Sequence, residues 1–499
     1  MTYHLLTGAT GLLGSYLLRD NLRAGHRVAV LVRPTRHESA RGRIETILAR
    51  WEKETGLVLP RPVVLEGDLS ESDLDLDARS LQWIVDHCDS VIHSAASLTF
   101  RGVDPKGEPW RTNVEGTRRV LELCRLTGIR KFHHVSTAYV CGLREGRILE
   151  SELDVGQEMG NDYEASKTAA EKMVRGAGFL DSPTIYRPAI IVGDSRTGYT
   201  TTFHGFYALL KLAHTLVSRV VLGATDGRPL IGMFGLHGSE RKNFVPVDWV
   251  SAVISRIFSR PEFHGGTYHL TSRSPMTVAE MTAVIQDAIE TWSQLADPSD
   301  AGRCDGTWFD RTFRQELEIY RAYWRGDPIF DHVNVTRAVP DLPCPVMDAE
   351  MLMRLARYAI KANFGRPRPR PLKPDFDTQC HLRHLLETRQ RSARPLRNGN
   401  CLGLEVNGPG GGQFELIVEG NRIVAAEEGL TPHCSATFHL SSGTFQRLAG
   451  RQLTVTEALT SGSVVVDGNG WERRQLEAVL QSATMPDTPQ GSKSESVVR

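Results

Sequence analysis

The 499-residue sequence lacks the features that mark several large classes of protein. Its 59 basic and 59 acidic residues cancel, so no net charge recruits nucleic acid or an anionic membrane. No apolar run approaches the roughly 18 residues that a membrane-spanning helix needs. The N-terminus enters an apolar segment without the basic stretch that precedes it in a signal peptide. These absences predict a cytoplasmic protein with no transmembrane segment and no nucleic-acid partner.

Paired cysteines are also missing. The eight cysteines are scattered and form no Cys-x-x-Cys pair, which is typical of reduced thiols and not of a disulfide framework. One cluster, from Cys380 to His384, brings a thiol and two imidazoles together, but a second ligand pair at zinc-site spacing is absent. We interpret this cluster as a polar helix face and predict no metal site.

What the sequence does contain begins almost at its first residue. Residues 7–14 read Thr-Gly-Ala-Thr-Gly-Leu-Leu-Gly, after the apolar residues 3–6 and before a helix-like stretch at 15–23. A strand, a glycine turn and a helix in that order form a dinucleotide-binding unit, because glycine lets backbone amides approach a pyrophosphate at the helix N-terminus. A second strand at residues 26–32 follows at the expected interval.

The end of that second strand carries a base where an acid is usual. Dinucleotide sites for a free ribose 2′-hydroxyl have Asp or Glu about 20 residues after the glycines. This sequence has Arg33 there, with Arg36 close behind. A guanidinium suits a 2′-phosphate, so NADP(H) is favoured over NAD(H), although a solvated surface arginine is the open alternative.

Apolar strands alternate with helical patterns up to about residue 192. The further strand candidates are residues 63–69, 90–96, 131–136 and 184–192. Such alternation predicts an α/β fold, a Rossmann-type doubly wound parallel sheet with helices on both faces. From about 195 to 365 the pattern becomes irregular, which predicts a smaller substrate-binding region over the strand ends.

Alternating arginine and proline at residues 366–374 predict a stiff spacer and a domain boundary. After it we expect a C-terminal α+β domain, with a hairpin at 411–426, a further strand at 435–440 and a last helix at 471–480. The predicted organisation lists five parts: a nucleotide-binding domain at 1–270, its helical continuation at 271–365, a linker at 366–375, a C-terminal domain at 376–485 and a disordered tail at 486–499.

Two motifs predict carbonyl chemistry in the first domain. Thr137 ends an apolar strand, and Tyr163 and Lys167 lie at helical spacing on one face. Carbonyl reduction needs a proton donor beside the oxygen that gains charge, and a nearby ammonium is expected to lower the tyrosine pKa. Tyr207 and Lys211 repeat the Tyr-x-x-x-Lys pattern, but they follow the last predicted strand in an apolar helix, where core packing explains them.

Together these motifs resemble the extended short-chain dehydrogenases/reductases over residues 1–270. The resemblance implies catalytic roles for Thr137, Tyr163 and Lys167, with Asn113 anchoring a water in the proton relay. It implies that the cofactor is bound by Gly8, Thr10, Gly11, Leu12, Leu13, Gly14, Arg33, Asp68, Leu69, Ala95, Ala96, Tyr163, Lys167 and Pro188.

Finer motifs narrow the resemblance. Residues 97–100, 186–198 and 243–250 are similar to the thioester reductase and fatty acyl reductase branch. Residues 376–485 resemble a sterol-carrier-protein type lipid-binding domain, with an interaction or dimerisation domain as the alternative. The resemblance implies an NADPH-dependent reductase of an acyl thioester, fatty or polyketide-like, to aldehyde or alcohol.

The sequence leaves the substrate carrier, the oligomeric state and two alternative functions open. The substrate is expected on coenzyme A or a carrier protein, and a homodimer is left open. Two alternatives remain: a dehydrogenase or epimerase of a sterol or nucleotide sugar, and a lipid-binding or transfer protein.

Overall fold

The structure is a computed structural model. It describes residues 2–36, 38–100, 102, 104, 106–219, 237–292, 325–365, 377–387, 400–408, 410–419, 422–430 and 434–468. The predicted linker at 366–375, the predicted helix at 471–480 and the predicted tail lie outside these residues. The chain divides into two compact units, one formed by Met1–Arg33 and Leu65–Arg370 and the other by Pro34–Val64 and Pro371–Arg499.

A seven-stranded parallel sheet confirms the predicted Rossmann-type fold. Its strands are Tyr3–Thr7 (β1), Val28–Val32 (β2), Val63–Glu66 (β3), Cys88–His93 (β4), Lys131–Val135 (β5), Thr184–Pro188 (β7) and Thr267–Leu270 (β11). Their order in the sheet is β11-β7-β5-β4-β1-β2-β3, and strands β1 and β2 are buried throughout, as expected of a sheet covered on both faces.

The order reverses between β1 and β4, which pair in parallel from Tyr3–Cys88 to Thr7–His93. In open α/β sheets, ligands bind outside the carboxyl ends of the strands at such a switch point. The glycine turn after β1 and the Thr137 segment after β5 both lie at carboxyl ends. The topology therefore brings the two predicted motifs to one edge of the sheet.

Helices and short strand pairs complete this unit. The helices are Leu12–Arg23 (α1), Ala78–His87 (α3), Thr117–Thr127 (α4), Asp162–Gly176 (α5), Phe206–Arg219 (α6), Val247–Phe258 (α7), Val278–Trp292 (α8), Val333–Ala338 (α9) and Ala349–Lys361 (α10). The paired short strands are Arg147–Ile148 (β6) with Ile329–Phe330 (β13), Ile190–Val192 (β8) with Phe244–Pro246 (β10), and Arg241–Lys242 (β9) with Met276–Thr277 (β12). Helices α6, α8 and α10 share a second hydrophobic core.

The second unit contains a five-stranded sheet of order β16-β15-β14-β17-β18, in which β14 and β17 run parallel. Its strands are Asn400–Asn407 (β14), Gly412–Glu419 (β15), Arg422–Glu428 (β16), Ala436–Ser441 (β17) and Val464–Gly468 (β18). Its helices are Ala40–Thr55 (α2), Thr378–Glu387 (α11), Ser442–Ala449 (α12) and Val455–Thr460 (α13). The core is apolar and centres on Leu402, Leu404, Leu416 and Phe438.

Helix α2 belongs to this second unit although it follows β2 in sequence. The Nε of Arg41 donates to Oε1 of Glu405 at 2.8 Å, and Nδ1 of His439 lies 3.2 Å from the other oxygen. Burial alone would raise the pKa of Glu405, but the charge of Arg41 and the hydrogen bond to His439 lower it to about 2. A buried carboxylate of this kind needs both partners.

Among the described residues, no helix is both long and apolar enough to cross a membrane.

Candidate active site

Two positions of the glycine turn after β1 have room only for glycine. Gly8 has a φ of 78°, and a Cβ there would lie 2.6 Å from the Ala95 nitrogen. A Cβ on Gly14 would lie 2.0 Å from the Gly8 carbonyl oxygen. Gly11 is the N-cap of α1 and provides no side-chain cap, so backbone donors of the first turn are left for an anion.

A cavity of about 270 Å³ extends from this turn to the catalytic motifs. Its lining includes the predicted residues Gly8, Gly11, Leu12, Leu13, Gly14, Ala96, Thr137, Tyr163, Lys167 and Pro188. The predicted residues Thr10, Arg33, Asp68, Leu69, Ala95 and Asn113 are outside that lining. A bare glycine turn at one end and a phenol, a hydroxyl and an ammonium at the other suit a nicotinamide dinucleotide.

Thr137 and Tyr163 meet in this cavity. Thr137 is buried as the N-cap of a 3₁₀ turn, and its hydroxyl lies 3.4 Å from the Pro188 carbonyl oxygen. Burial raises the pKa of Tyr163 to about 12, although a hydrogen bond with Thr137 works in the opposite direction. The phenol therefore keeps its proton at neutral pH.

Lys167 is buried one helical turn after Tyr163. Its Nζ donates to the Val135 carbonyl oxygen at 2.7 Å. Burial lowers the pKa of Lys167 to about 8, and the charge of Glu171 opposes that fall. The sequence predicted that Lys167 lowers the pKa of Tyr163, but in this structure burial of the phenol raises that pKa instead.

Asn113 lies in a π-helical stretch, Arg111–Gly116. Its Oδ1 accepts from the Ser97 nitrogen at 2.8 Å, and its Nδ2 donates to the Ser97 carbonyl oxygen and to Ser166 Oγ at 3.1 and 2.9 Å. The amide thus ties the loop after β4 to helix α5, and its role in a proton relay stays a prediction.

Arg33 ends up beside Asp68 at the end of the sheet. The two side chains form an ion pair at 3.2 Å, and the arginine side chain is 61% exposed. Partial burial raises the pKa of Asp68, but hydrogen bonds from Ser70 and Arg33 lower it below its ordinary value. The guanidinium is accessible to a ligand, and Asp68 competes for it.

Two further sites bear on the predictions. Tyr207 lies in the helical core, where its hydroxyl accepts from the Gly193 nitrogen at 2.9 Å.

In the second unit, ligand atoms of Cys401, Glu415 and Cys434 lie within 4.8 Å of one another. No sequence motif indicated this group, because its members come from three separate segments.

The structure adds cavity residues that the sequence analysis did not assign to the site. Thr202, His204 and Gly205 come from the loop before α6, and Tyr139 follows Thr137. Leu98, Phe100, Ile190 and Ile191 give this side of the cavity an apolar wall. The Phe100 ring packs edge-on against Tyr163 at 5.9 Å, so the apolar wall and the phenol share one space.

A family comparison agrees with this geometry. Residues 6–254, which include the glycine turn and both catalytic motifs, match the NAD-binding family model described as Male sterility protein. This part of the chain belongs to that family. Male sterility proteins of this type belong to the extended short-chain dehydrogenase/reductase family of oxidoreductases, and a nicotinamide cofactor fits the site.

Individual proteins are similar to more of the chain than the family model matches. Aldehyde reductase lnaA of Aspergillus flavus is 26% identical over 391 residues, which cover 71% of this chain and 35% of that protein. Nonribosomal peptide synthetase asaC of the same organism is 27% identical over 282 residues, 54% of this chain and 26% of the synthetase. The chain therefore spans about a third of the length of the aldehyde reductase and about a quarter of the length of the synthetase.

A solved structure shows the same fold. The terminal R domain from the myxalamid PKS-NRPS biosynthetic pathway is 27% identical, with a TM-score of 0.58, and the match covers 73% of this chain and 92% of that domain. The coverage extends the likeness well beyond the family match.

Proposed function

We propose that the protein is an NADPH-dependent reductase of acyl thioesters that yields an aldehyde or alcohol. The main support for this proposal is that Thr137, Tyr163, Lys167 and an apolar wall all line one cavity. An apolar wall suits a fatty or polyketide-like acyl chain. The names of the relatives, an aldehyde reductase and a peptide synthetase, support a thioester as the starting carbonyl.

Each side chain has a role in this chemistry. When bound, the nicotinamide supplies a hydride to the carbonyl carbon. Tyr163 donates its proton to the carbonyl oxygen, and Thr137 donates a second hydrogen bond to the same oxygen. Lys167, charged below pH 8, holds the nicotinamide ribose. The C–S bond then breaks, the oxygen gives up its proton to the leaving sulfur, and thiol and aldehyde leave, while a proton from solvent restores Tyr163.

The reaction balances as acyl thioester plus NADPH plus a proton giving aldehyde, free thiol and NADP⁺. A thiol assay run beside NADPH oxidation tests it with coenzyme A and carrier-protein thioesters. Turnover of an alcohol or nucleotide sugar without thiol release would instead support the dehydrogenase or epimerase alternative.

The preference for NADPH rests on Arg33. Its guanidinium is exposed beside the nucleotide end of the sheet, and a 2′-phosphate is its natural ligand. When Arg33 binds the 2′-phosphate, its present partner Asp68 can accept a hydrogen bond from the adenine, as the family resemblance implies.

We propose that residues 376–485 bind the apolar part of the substrate. The support is the five-stranded sheet with a central parallel pair and one apolar face packed under helices. Because α2 lies in the same compact unit, truncation after residue 364 would expose its buried face, so the full chain is the right material. Saturable uptake of a fluorescent fatty acid, displaced by an unlabelled one, is expected. Absence of such uptake leaves the unit as an interaction domain.

A further inference from the structure

Glu171 is a fully buried carboxylate at the centre of a hydrogen-bond cluster. Its Oε2 accepts from Ser136 Oγ at 2.6 Å and from Arg187 Nε at 3.1 Å. Its Oε1 accepts from Arg187 Nη2 at 2.6 Å and from Arg175 at 2.8 and 3.0 Å. Both Glu171 and Arg187 have no exposed side-chain surface.

These contacts join three elements that surround the proposed catalytic residues. Ser136 directly precedes Thr137 at the end of β5. Arg187 directly precedes Pro188, whose carbonyl oxygen is 3.4 Å from the Thr137 hydroxyl. Glu171 itself lies one helical turn after Lys167 on α5. One carboxylate therefore fixes β5, β7 and α5 relative to one another at their carboxyl-end edge.

Glu171 also acts on Lys167 through its charge. Burial alone would raise the pKa of Glu171, but Arg187 lowers it below its ordinary value, so it is ionised. Its negative charge favours the charged form of Lys167. Three other titratable groups lie around Lys167. Burial keeps His93 on β4 and His134 on β5 neutral, and it raises the pKa of Tyr163 on α5 to about 12, so that the phenol is neutral too.

We propose that Glu171 is a positioning residue for the reduction, holding the Thr137 hydroxyl in place through Ser136 and keeping Lys167 charged. This inference rests on the proposed function. A carboxylate with a purely structural role would stabilise the fold without affecting either the geometry at Thr137 or the protonation of Lys167.

Two variants separate the two effects. Glu171→Gln removes the charge and keeps the shape, whereas Ser136→Ala removes the tether and leaves the ion pair with Arg187. We expect kcat to fall by about 10-fold or more in both, with KM for the thioester nearly unchanged, because the lost interaction acts on the transition state. Glu122→Gln, at an exposed pair with Arg125, is the matched control and should keep wild-type kcat.

The protonation of Lys167 can be measured by an NMR titration in the absence of substrate and cofactor. In [¹³C]lysine-labelled full-length protein, the Lys167 resonance, identified with Lys167→Arg, should titrate near pH 8. Glu171→Gln should lower this midpoint by about one pH unit, whereas Ser136→Ala should not move it, and Glu171→Asp should restore most of the shift.

Each outcome either supports or overturns the proposal for Glu171. Unchanged kcat per folded molecule in Ser136→Ala, or an unchanged Lys167 midpoint in Glu171→Gln, overturns the proposal. If Glu171→Gln fails to fold, the kcat of Ser136→Ala decides alone. If the wild-type protein reduces no acyl thioester, the proposed function fails, and the titration still shows whether Glu171 controls Lys167.

Discussion

Tyr163→Phe is the most revealing single substitution. The ring of Tyr163 packs edge-on against Phe100 with centroids 5.9 Å apart, and phenylalanine keeps that packing. Only the hydroxyl is lost, and with it the proton donor. A positioned general acid contributes about 10²- to 10⁴-fold, so kcat should fall by that factor, equivalent to about 3–5 kcal/mol in the activation free energy.

The chain supplies its own control in the second Tyr-x-x-x-Lys copy. Tyr207→Phe removes the acceptor of the buried Gly193 N–H, which should cost about 1–3 kcal/mol of stability. Because Tyr207 lies in the helical core, kcat per folded molecule should change by less than about twofold.

The assay is steady-state NADPH oxidation with an acyl thioester, beside a fluorescence titration of cofactor binding. Tyr163→Phe should bind NADPH as the wild-type protein does. The reasoning is refuted if Tyr163→Phe retains more than a tenth of wild-type kcat, or if Tyr207→Phe is the variant that loses it.

Three more predictions test the rest of the site. Activity should fall as pH rises through about 8, because Lys167 loses its charge there, and Lys167→Arg should move that limb upward in a kcat–pH profile; a limb that stays near pH 8 in this variant would assign it to another group. Arg33→Ala should weaken NADPH binding by about 10-fold and leave NADH binding nearly unchanged in paired titrations, and equal effects on both cofactors would remove the argument for NADPH. Gly14→Ala should weaken cofactor binding by about 10-fold or more, since its Cβ would lie 2.0 Å from the Gly8 oxygen, whereas Gly176→Ala, with nothing within 4 Å, should bind normally.

Much of the α/β sheet could be predicted because its strands are continuous apolar runs separated by helical periods. The glycine turn and the Thr137 segment each follow such a run, which placed both at carboxyl ends. Strand β11, Thr267–Leu270, was not predicted, since its four residues are too short for a periodic pattern. Strand β14 was missed as well, although it is the centre of the second sheet.

Contacts between distant segments could not be predicted. Arg41 and Glu405 are 364 residues apart, and no sequence motif links the two positions. The same holds for His204 and its neighbours, which reach the cavity from an irregular loop. Lys167 and Tyr163 line the same cavity, as the helical spacing predicted, but the effect of burial on both pKa values depends on packing that local sequence does not encode.

The central claim is that the cavity reduces an acyl thioester. The most direct measurement is the ratio of free thiol released to NADPH oxidised by the full-length protein with a long-chain acyl thioester. We expect one thiol for each NADPH if reduction stops at the aldehyde, and one thiol for every two NADPH if it continues to the alcohol. NADPH oxidation with no thiol released, or no oxidation with any acyl thioester while an alcohol or sugar nucleotide is turned over, would contradict it.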